Sequence, residues 1–313
     1  MKRTILLVIT TILVASGAVA HSPKAWRKMK RDVNIFLVSD LGRKGCHDQQ
    51  VVASLMNDVA GKIKPMCIVA TGDTHHGNGV KSTKDNDWKQ NLEGIYYHPK
   101  LEELDWYAIL GNHEYRGNTQ AVLDYSRVNP RWKMAGRYYT KVFTARGTSV
   151  RFVFIDTTPL IDKYRKNPKY ADAAEQDMSD QLKWLDSVLD QATEDWVIVA
   201  GHHPIYAETN KDKTERENMK DRVNKILRKH KNVDVYLSGH LHNFQHLRSK
   251  SSHIDYVVNS SGGDGRKVDS NKYTRFCNRE SGFSVLSANE QELSIYMIDK
   301  NGNLLHRVRR TKR

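Results

Sequence analysis

Short apolar runs recur along the chain at residues 34–38, 67–71, 106–110, 152–155, 197–200, 233–237 and 256–258. Each is too short for an ordinary helix and too uniformly apolar for a surface segment, so each reads as a buried strand. Between several of them lie amphipathic stretches at 49–62, 181–192 and 221–230. This alternation predicts an α/β protein with helices packed outside its sheet. Towards the C-terminus, runs at 283–286, 292–298 and 304–308 follow one another with only turn signals such as Asn301-Gly302 between them. They predict antiparallel strands that complete a second sheet. The polar segments 77–87 and 162–177 predict loops, and neither an internal repeat nor a linker interrupts the pattern.

The first twenty residues have a different composition. Lys2 and Arg3 precede an apolar run at 5–14, and Ala18-Val19-Ala20 follows as a small-x-small site. This is the pattern of a cleaved signal peptide, and the run falls short of the roughly 20 residues that span a bilayer. The expected organisation is a leader at 1–20, a single domain at 21–313, export to the periplasm or beyond the cell, and no membrane span in the mature chain. A hydrophobic share of 39% with 27% charged residues excludes a disordered chain and a polytopic membrane protein. Cys46, Cys67 and Cys277 are too few and too scattered for a disulfide framework, and Cys67 falls in a buried run. The formal charge of +14 favours anionic ligands. Its basic residues are dispersed and form no nucleic-acid-binding motif, so the expected partner is a small phosphorylated substrate, with no specific nucleic acid binding.

Candidate chemistry gathers directly after the apolar runs. Asp40 follows the first, Asp73 the second, Asn112 and His113 the third, and His202 and His240 two later ones. Ligands of open α/β sheets bind beyond the carboxyl ends of the strands, so these residues could converge on one crevice. Taken singly, Asp40 could be a turn residue or helix cap, and Gly72-Asp73 a turn. His240 and His242 alternate in extended chain and can face one site together. Carboxylates, imidazoles and an amide carbonyl suit iron, manganese or zinc, and their number suffices for two ions.

The ordered set Asp40-Leu-Gly42, Gly72-Asp73, Gly111-Asn-His-Glu114, Gly201-His202 and Gly239-His-Leu-His242 resembles the calcineurin-like metallophosphoesterases. Within them it resembles the purple acid phosphatases of the tartrate-resistant type, over residues 33–298. That resemblance implies two packed mixed β-sheets flanked by helices, a four-layer αββα sandwich. It implies that Asp40 and His242 hold a first metal, that Asp73 bridges both, and that Asn112, His202 and His240 hold the second. His113 would face the phosphate and assist the leaving group. The implied reaction is hydrolysis of phosphate monoesters by metal-activated hydroxide. Phosphodiester or nucleotide hydrolysis on the same site is the alternative, and a non-catalytic metal- or phosphate-binding protein is the reading from another class.

The chain departs from the family pattern twice. The family's Gly-Asp-x-x-Tyr reads Gly72-Asp-Thr-His-His76 here, which puts an imidazole in place of the tyrosinate that colours the purple enzymes. His76 is therefore the expected further ligand. His75 competes with it, and the metal pair stays open between iron with a second iron, zinc or manganese. Nine residues beyond His202, where the tartrate-resistant members carry a substrate-facing histidine, stands Lys211. It either meets phosphate as a point charge or marks a loop of different length. His203 is expected to lie outside the ligand set, and the loops 77–87 and 162–177 are expected to line the mouth of the crevice.

Overall fold

The computed structural model describes residues 23–249 and 251–312, so the predicted leader at 1–20 lies outside the described residues. The apolar runs form strands that are buried along most or all of their length, as expected of parallel strands covered on both faces. In chain order the strands begin with β1 (Val33–Val38), β2 (Cys67–Ala70), β3 (Asp105–Ala108), β4 (Trp132–Lys133), β5 (Tyr139–Ala145), β6 (Thr148–Phe154) and β7 (Trp196–Ala200). They continue with β8 (Val233–Ser238), β9 (Phe244–Leu247), β10 (Asp255–Val258), β11 (Thr274–Asn278), β12 (Gly282–Ala288), β13 (Glu292–Asp299) and β14 (Leu304–Thr311).

These strands make two mixed sheets of 7 strands each, ordered β14-β13-β12-β1-β2-β3-β4 and β11-β9-β10-β8-β7-β6-β5. In the first sheet β1 to β4 run parallel and β12 to β14 antiparallel. In the second, β10, β8, β7 and β6 run parallel, and β5, β9 and β11 complete it antiparallel. The parallel registers keep strand ends level: Ala70 lies opposite Val38 and Ala108, and Ala200 opposite Phe154 and Leu237. The residues that follow those strands therefore emerge together along one rim.

One apolar core joins the sheets, with Phe36, Phe283, Phe152, Phe154 and Trp196 all buried in it. Polar bonds also cross between them. Asn259 donates to the Leu37 carbonyl at 3.0 Å, and the Trp196 indole donates to the Asn289 carbonyl at 2.8 Å. Helices cover the outer faces. Gln49–Ile63 turns Val52, Met56, Val59 and Ile63 inward at helical spacing. Met178–Asp190 starts where the Asp177 carboxylate accepts from the Ser179 and Asp180 amides. The two-sheet sandwich implied by the resemblance is the architecture observed.

Three details differ from the sequence reading. Segment 162–177 is not a loop but a chain of short helical turns, because Tyr164, Tyr170 and Ala173 are buried. The helix expected at 221–230 starts earlier, at Lys213, and runs on to Lys229. Strands β5, β9 and β11 carry polar residues that hide their pairing. β9 buries Gln245 and His246, so no apolar run marks it.

Candidate metal centre

Five turns on the common rim carry the predicted site. Asp40 follows β1, Asp73 follows β2, Asn112 lies beyond β3, His202 follows β7, and His240 and His242 follow β8. Asp40, Asp73, His240 and His242 have φ values of 52, 53, 73 and 59°, in the left-handed region that non-glycine residues rarely occupy. Such conformations cost roughly 1–3 kcal/mol each and persist where the surroundings over-determine them. Here the surroundings are a lattice of bonds between turns. The Asp40 amide donates to the Gly72 carbonyl at 3.0 Å, and the His240 amide donates to Asp40 Oδ2 at 2.8 Å. Buried Glu114 accepts from the Asp73, His75 and Gly111 amides at 3.0, 2.9 and 2.7 Å, templating two turns with one carboxylate.

The side chains converge as two groups that share one wall. In the first, His242 Nε2 lies 3.2 Å from Asp40 Oδ1 and 3.3 Å from His76 Nε2. In the second, His202 Nε2 lies 3.2 Å from Asp73 Oδ2 and 3.2 Å from His240 Nδ1. Asp73 Oδ2 also stands 4.0 Å from His76 Nε2, so its carboxylate separates the two groups. An ion bound tetrahedrally at about 2.0–2.1 Å would set its donors about 3.3 Å apart, the spacing observed here. Among the described residues, the buried Asp40 Oδ1 and Asn112 Oδ1 have no hydrogen-bond partner. Oxygen acceptors left unpaired in a buried site fit a cation. Asp and His donor atoms thus gather in adjoining groups, each close enough together to hold a metal ion.

Charge in this site follows from burial and mutual contact. Burial works to raise the Asp40 carboxyl, but the facing His242 and His202 hold it well below the usual carboxylate range. Burial presses His202 towards neutrality, yet Asp73 and Asp40 outweigh it and push the imidazole up to about 9. Burial holds His76 down at about 3 and His240 at about 4, which favours the neutral rings that ligation requires.

The competing histidines separate clearly. His75 is buried away from the cluster, edge-on to Trp88 with ring centroids 4.4 Å apart, and its Nδ1 meets Asn91 at 3.2 Å. His203 is also buried, but both its nitrogens are occupied, by Thr157 at 2.8 Å and Tyr164 at 3.1 Å. His113 stands at the edge of the cluster, its Nε2 3.9 Å from Asp73 Oδ2.

Above the cluster opens a cleft of about 330 Å³, lined among others by His113, Arg116, Lys163, Tyr164, Lys211 and Arg266. Lys211 therefore reaches the site. Its ammonium lies 2.8 Å from the His240 carbonyl. Segment 162–177 supplies Lys163, Tyr164 and Tyr170 to the wall as expected, whereas none of the lining side chains comes from 77–87. That loop turns away and offers only the Gly77 carbonyl to His113 and Arg116. Sequence reasoning missed Glu215 and Asp264, whose carboxylates meet His240 Nε2 at 3.1 Å and His242 Nδ1 at 2.7 Å. No spacing signal marks them, because one lies in a helix and the other in an irregular loop.

The family model described as calcineurin-like phosphoesterase matches residues 33–244. Purple acid phosphatase 3 of Arabidopsis thaliana is 29% identical over 89% of this chain and 78% of its own length. Tartrate-resistant acid phosphatase type 5 of Sus scrofa is 27% identical over 99% of this chain and 96% of its own. Among solved structures, GAP50, described as the anchor in the inner membrane complex of Plasmodium, superposes with a TM-score of 0.76. It is 21% identical, over 91% of this chain and 90% of that one, a likeness of fold.

Proposed function

The chain belongs to the calcineurin-like phosphoesterase family, and from that premise we propose that it hydrolyses phosphate monoesters at the cleft above Asp73. The observation that carries this reading is the pair of donor groups sharing the Asp73 carboxylate at the floor of an open, cation-lined cleft. On this reading Asp40, Asp73, His76 and His242 hold one ion, and Asp73, Asn112, His202 and His240 the other. Two ions so held would acidify a water and neutralise phosphate charge. With His76 in place of tyrosine, the metal pair stays open between iron with a second iron, zinc or manganese, and no tyrosinate band is expected.

The chain's own residues supply the rest. His113 Nδ1 lies 3.1 Å from the Arg116 guanidinium, which also meets the Gly77 carbonyl at 3.2 Å. Nδ1 also lies 3.0 Å from the Gly77 carbonyl, and Nε2, 3.9 Å from Asp73 Oδ2, is the nitrogen that would protonate or hydrogen-bond a departing alkoxide. Lys211 and Arg266 bring further positive charge to the same cleft and would orient the phosphoryl oxygens. The leader pattern at 1–20 supports export of this enzyme.

The test is hydrolysis of a chromogenic phosphate monoester and its diester counterpart by protein loaded with iron, zinc or manganese, beside Asp73→Asn. The expected outcome is monoester turnover, reduced on the order of 10³-fold in the variant, together with weaker binding of both ions. Preference for the diester would reassign the substrate class. A protein that holds two ions and turns over neither ester would sink the catalytic reading.

A further inference from the structure

His240 has two neighbours competing for its outward nitrogen. Nε2 lies 3.1 Å from Glu215 Oε2 and 3.1 Å from the Lys211 ammonium. These contacts favour opposite tautomers. A lysine only donates, so a bond from Lys211 would leave the ring proton on Nδ1, the nitrogen that faces His202 in the candidate metal group. A carboxylate only accepts, so Glu215 places the proton on Nε2 and leaves the Nδ1 lone pair free for an ion. Lys211 has a second acceptor within reach, the His240 carbonyl at 2.8 Å.

The Glu215 carboxylate is 2% exposed and held from every side. Its Oε1 accepts from the Tyr164 hydroxyl at 2.8 Å and meets the Lys163 ammonium at 2.5 Å. Tyr164 in turn meets His203 Nε2 at 3.1 Å, and His203 Nδ1 meets Thr157 at 2.8 Å, which ties the network back to the turn after β6. A buried charge gripped this way is not a solvent-facing helix residue. It is fixed where it can govern one nitrogen of one ring.

We propose that Glu215 is the positioning residue of the second metal position, selecting the ligating tautomer of His240 against Lys211. Asp264, backed by Arg43 at 2.8 Å, does the same for His242 at the first position. This rests on the dinuclear reading above. Carboxylates that hold a ligand histidine's free N–H typically change metal affinity by about 10–100-fold when removed.

The test uses zinc alone, titrated into the full-length protein against a chromophoric chelator, so that it reads binding without turnover. Wild type should hold two ions. Glu215→Gln should weaken one of them about 10–100-fold and leave the other unchanged. Asp264→Asn should weaken the other one. The diagnostic step is Lys211→Met in the Glu215→Gln background: with the competing donor gone, part of the lost affinity should return, which a merely structural role would not give. Tyr164→Phe, which loosens Glu215 but keeps its charge, should weaken the same ion by a smaller factor and covers the case in which Glu215→Gln fails to fold. The assignment is overturned if Glu215→Gln binds both ions as tightly as wild type, or if both weaken equally without rescue by Lys211→Met. Wild type holding no zinc would instead remove the dinuclear reading and this inference with it.

Discussion

The two sheets bring different chemistry to the same rim. The first offers oxygen donors from the ends of β1, β2 and β3, namely Asp40, Asp73 and Asn112. The second offers imidazoles from the ends of β7 and β8, namely His202, His240 and His242. The oxygens on the first side are aimed mostly by backbone amides of the turns themselves. Asp40 Oδ2 accepts from the His240 amide at 2.8 Å, and Asp73 Oδ1 from the His113 amide at 2.9 Å. The imidazoles have no such local guide. Each is turned by a partner on its outward nitrogen: the Thr71 carbonyl for His202, Glu215 for His240 and Asp264 for His242. A carboxylate needs only a strand end and a sharp turn, whereas an imidazole also needs a second residue to decide which nitrogen it presents.

The comparison can be broken most severely where the two halves interlock. Gly239 precedes His240, and a Cβ added there would overlap Ser39 Oγ and approach Asp40 Oδ2 to 2.8 Å. Those atoms belong to the turn after β1, in the opposite sheet, and Asp40 Oδ2 is already held by the His240 amide. Gly239→Ala should therefore displace both halves at once, lowering stability by about 1–3 kcal/mol or more and removing monoester turnover. Thermal unfolding and metal titration of the same preparation check it. A variant that melts like wild type and binds two ions would show that the halves tolerate independent movement.

A milder change sharpens the contrast by exchanging the donor type at one position. His76 is the imidazole on the oxygen side, its ring centroid 5.2 Å from that of His242 and 4.6 Å from that of His113. With ferric iron, His76→Tyr should gain a visible charge-transfer band that wild type lacks. It should also shift preference towards the trivalent ion. A band in the wild-type protein would mean that a tyrosine from elsewhere in the chain reaches the iron. Absorption spectra during iron loading decide between these.

The same contrast explains what the sequence could disclose. Asp40, Asp73, Asn112, His202 and His240 were legible as candidates because each closely follows an apolar run, often after glycine, and strand ends of parallel sheets share a rim; His242 was legible by its spacing from His240. His76 was legible only through the family resemblance, since its spacing from Asp73 matches the family's tyrosine, and the structure separates it from His75, which packs on Trp88. Glu215, Asp264 and Glu114 were not legible as aiming groups. Their use depends on contacts across 25, 22 and up to 41 residues, and an acidic side chain in a charged stretch carries no periodic signal. The edge strands failed for a related reason. β9 pairs through its backbone while burying Gln245 and His246, so tertiary contacts rather than apolar pattern create it.

The smallest expected effect comes from a second imidazole–carboxylate pairing, remote from the cleft, which shows what such a pairing does without converging ligands. His246 Nε2 meets Asp255 Oδ1 at 2.9 Å, and its Nδ1 meets His306 Nε2 at 3.0 Å, joining β9 of one sheet to β14 of the other. Arg248 and Arg310 meet the other oxygen of Asp255 at 3.3 and 3.1 Å, and Phe276 stacks on His306 with centroids 4.5 Å apart. Burial, reinforced by His246, holds His306 down at about 4 from an ordinary value of 6.5. Between those two values the unfolded chain binds more protons than the folded one, so stability rises with pH from about 4 to about 6.5. The contribution is fully present above that window and is lost as the pH falls through it. Because the ring is partly exposed, the whole effect should be about 1 kcal/mol or less. His306→Gln should flatten the slope of unfolding free energy across this window while leaving zinc affinity untouched. Denaturant titrations at several pH values check the slope. If it does not change, the imidazole pair at the sheet edge is a packing contact only, and the acid sensitivity of the fold lies with the rim histidines instead.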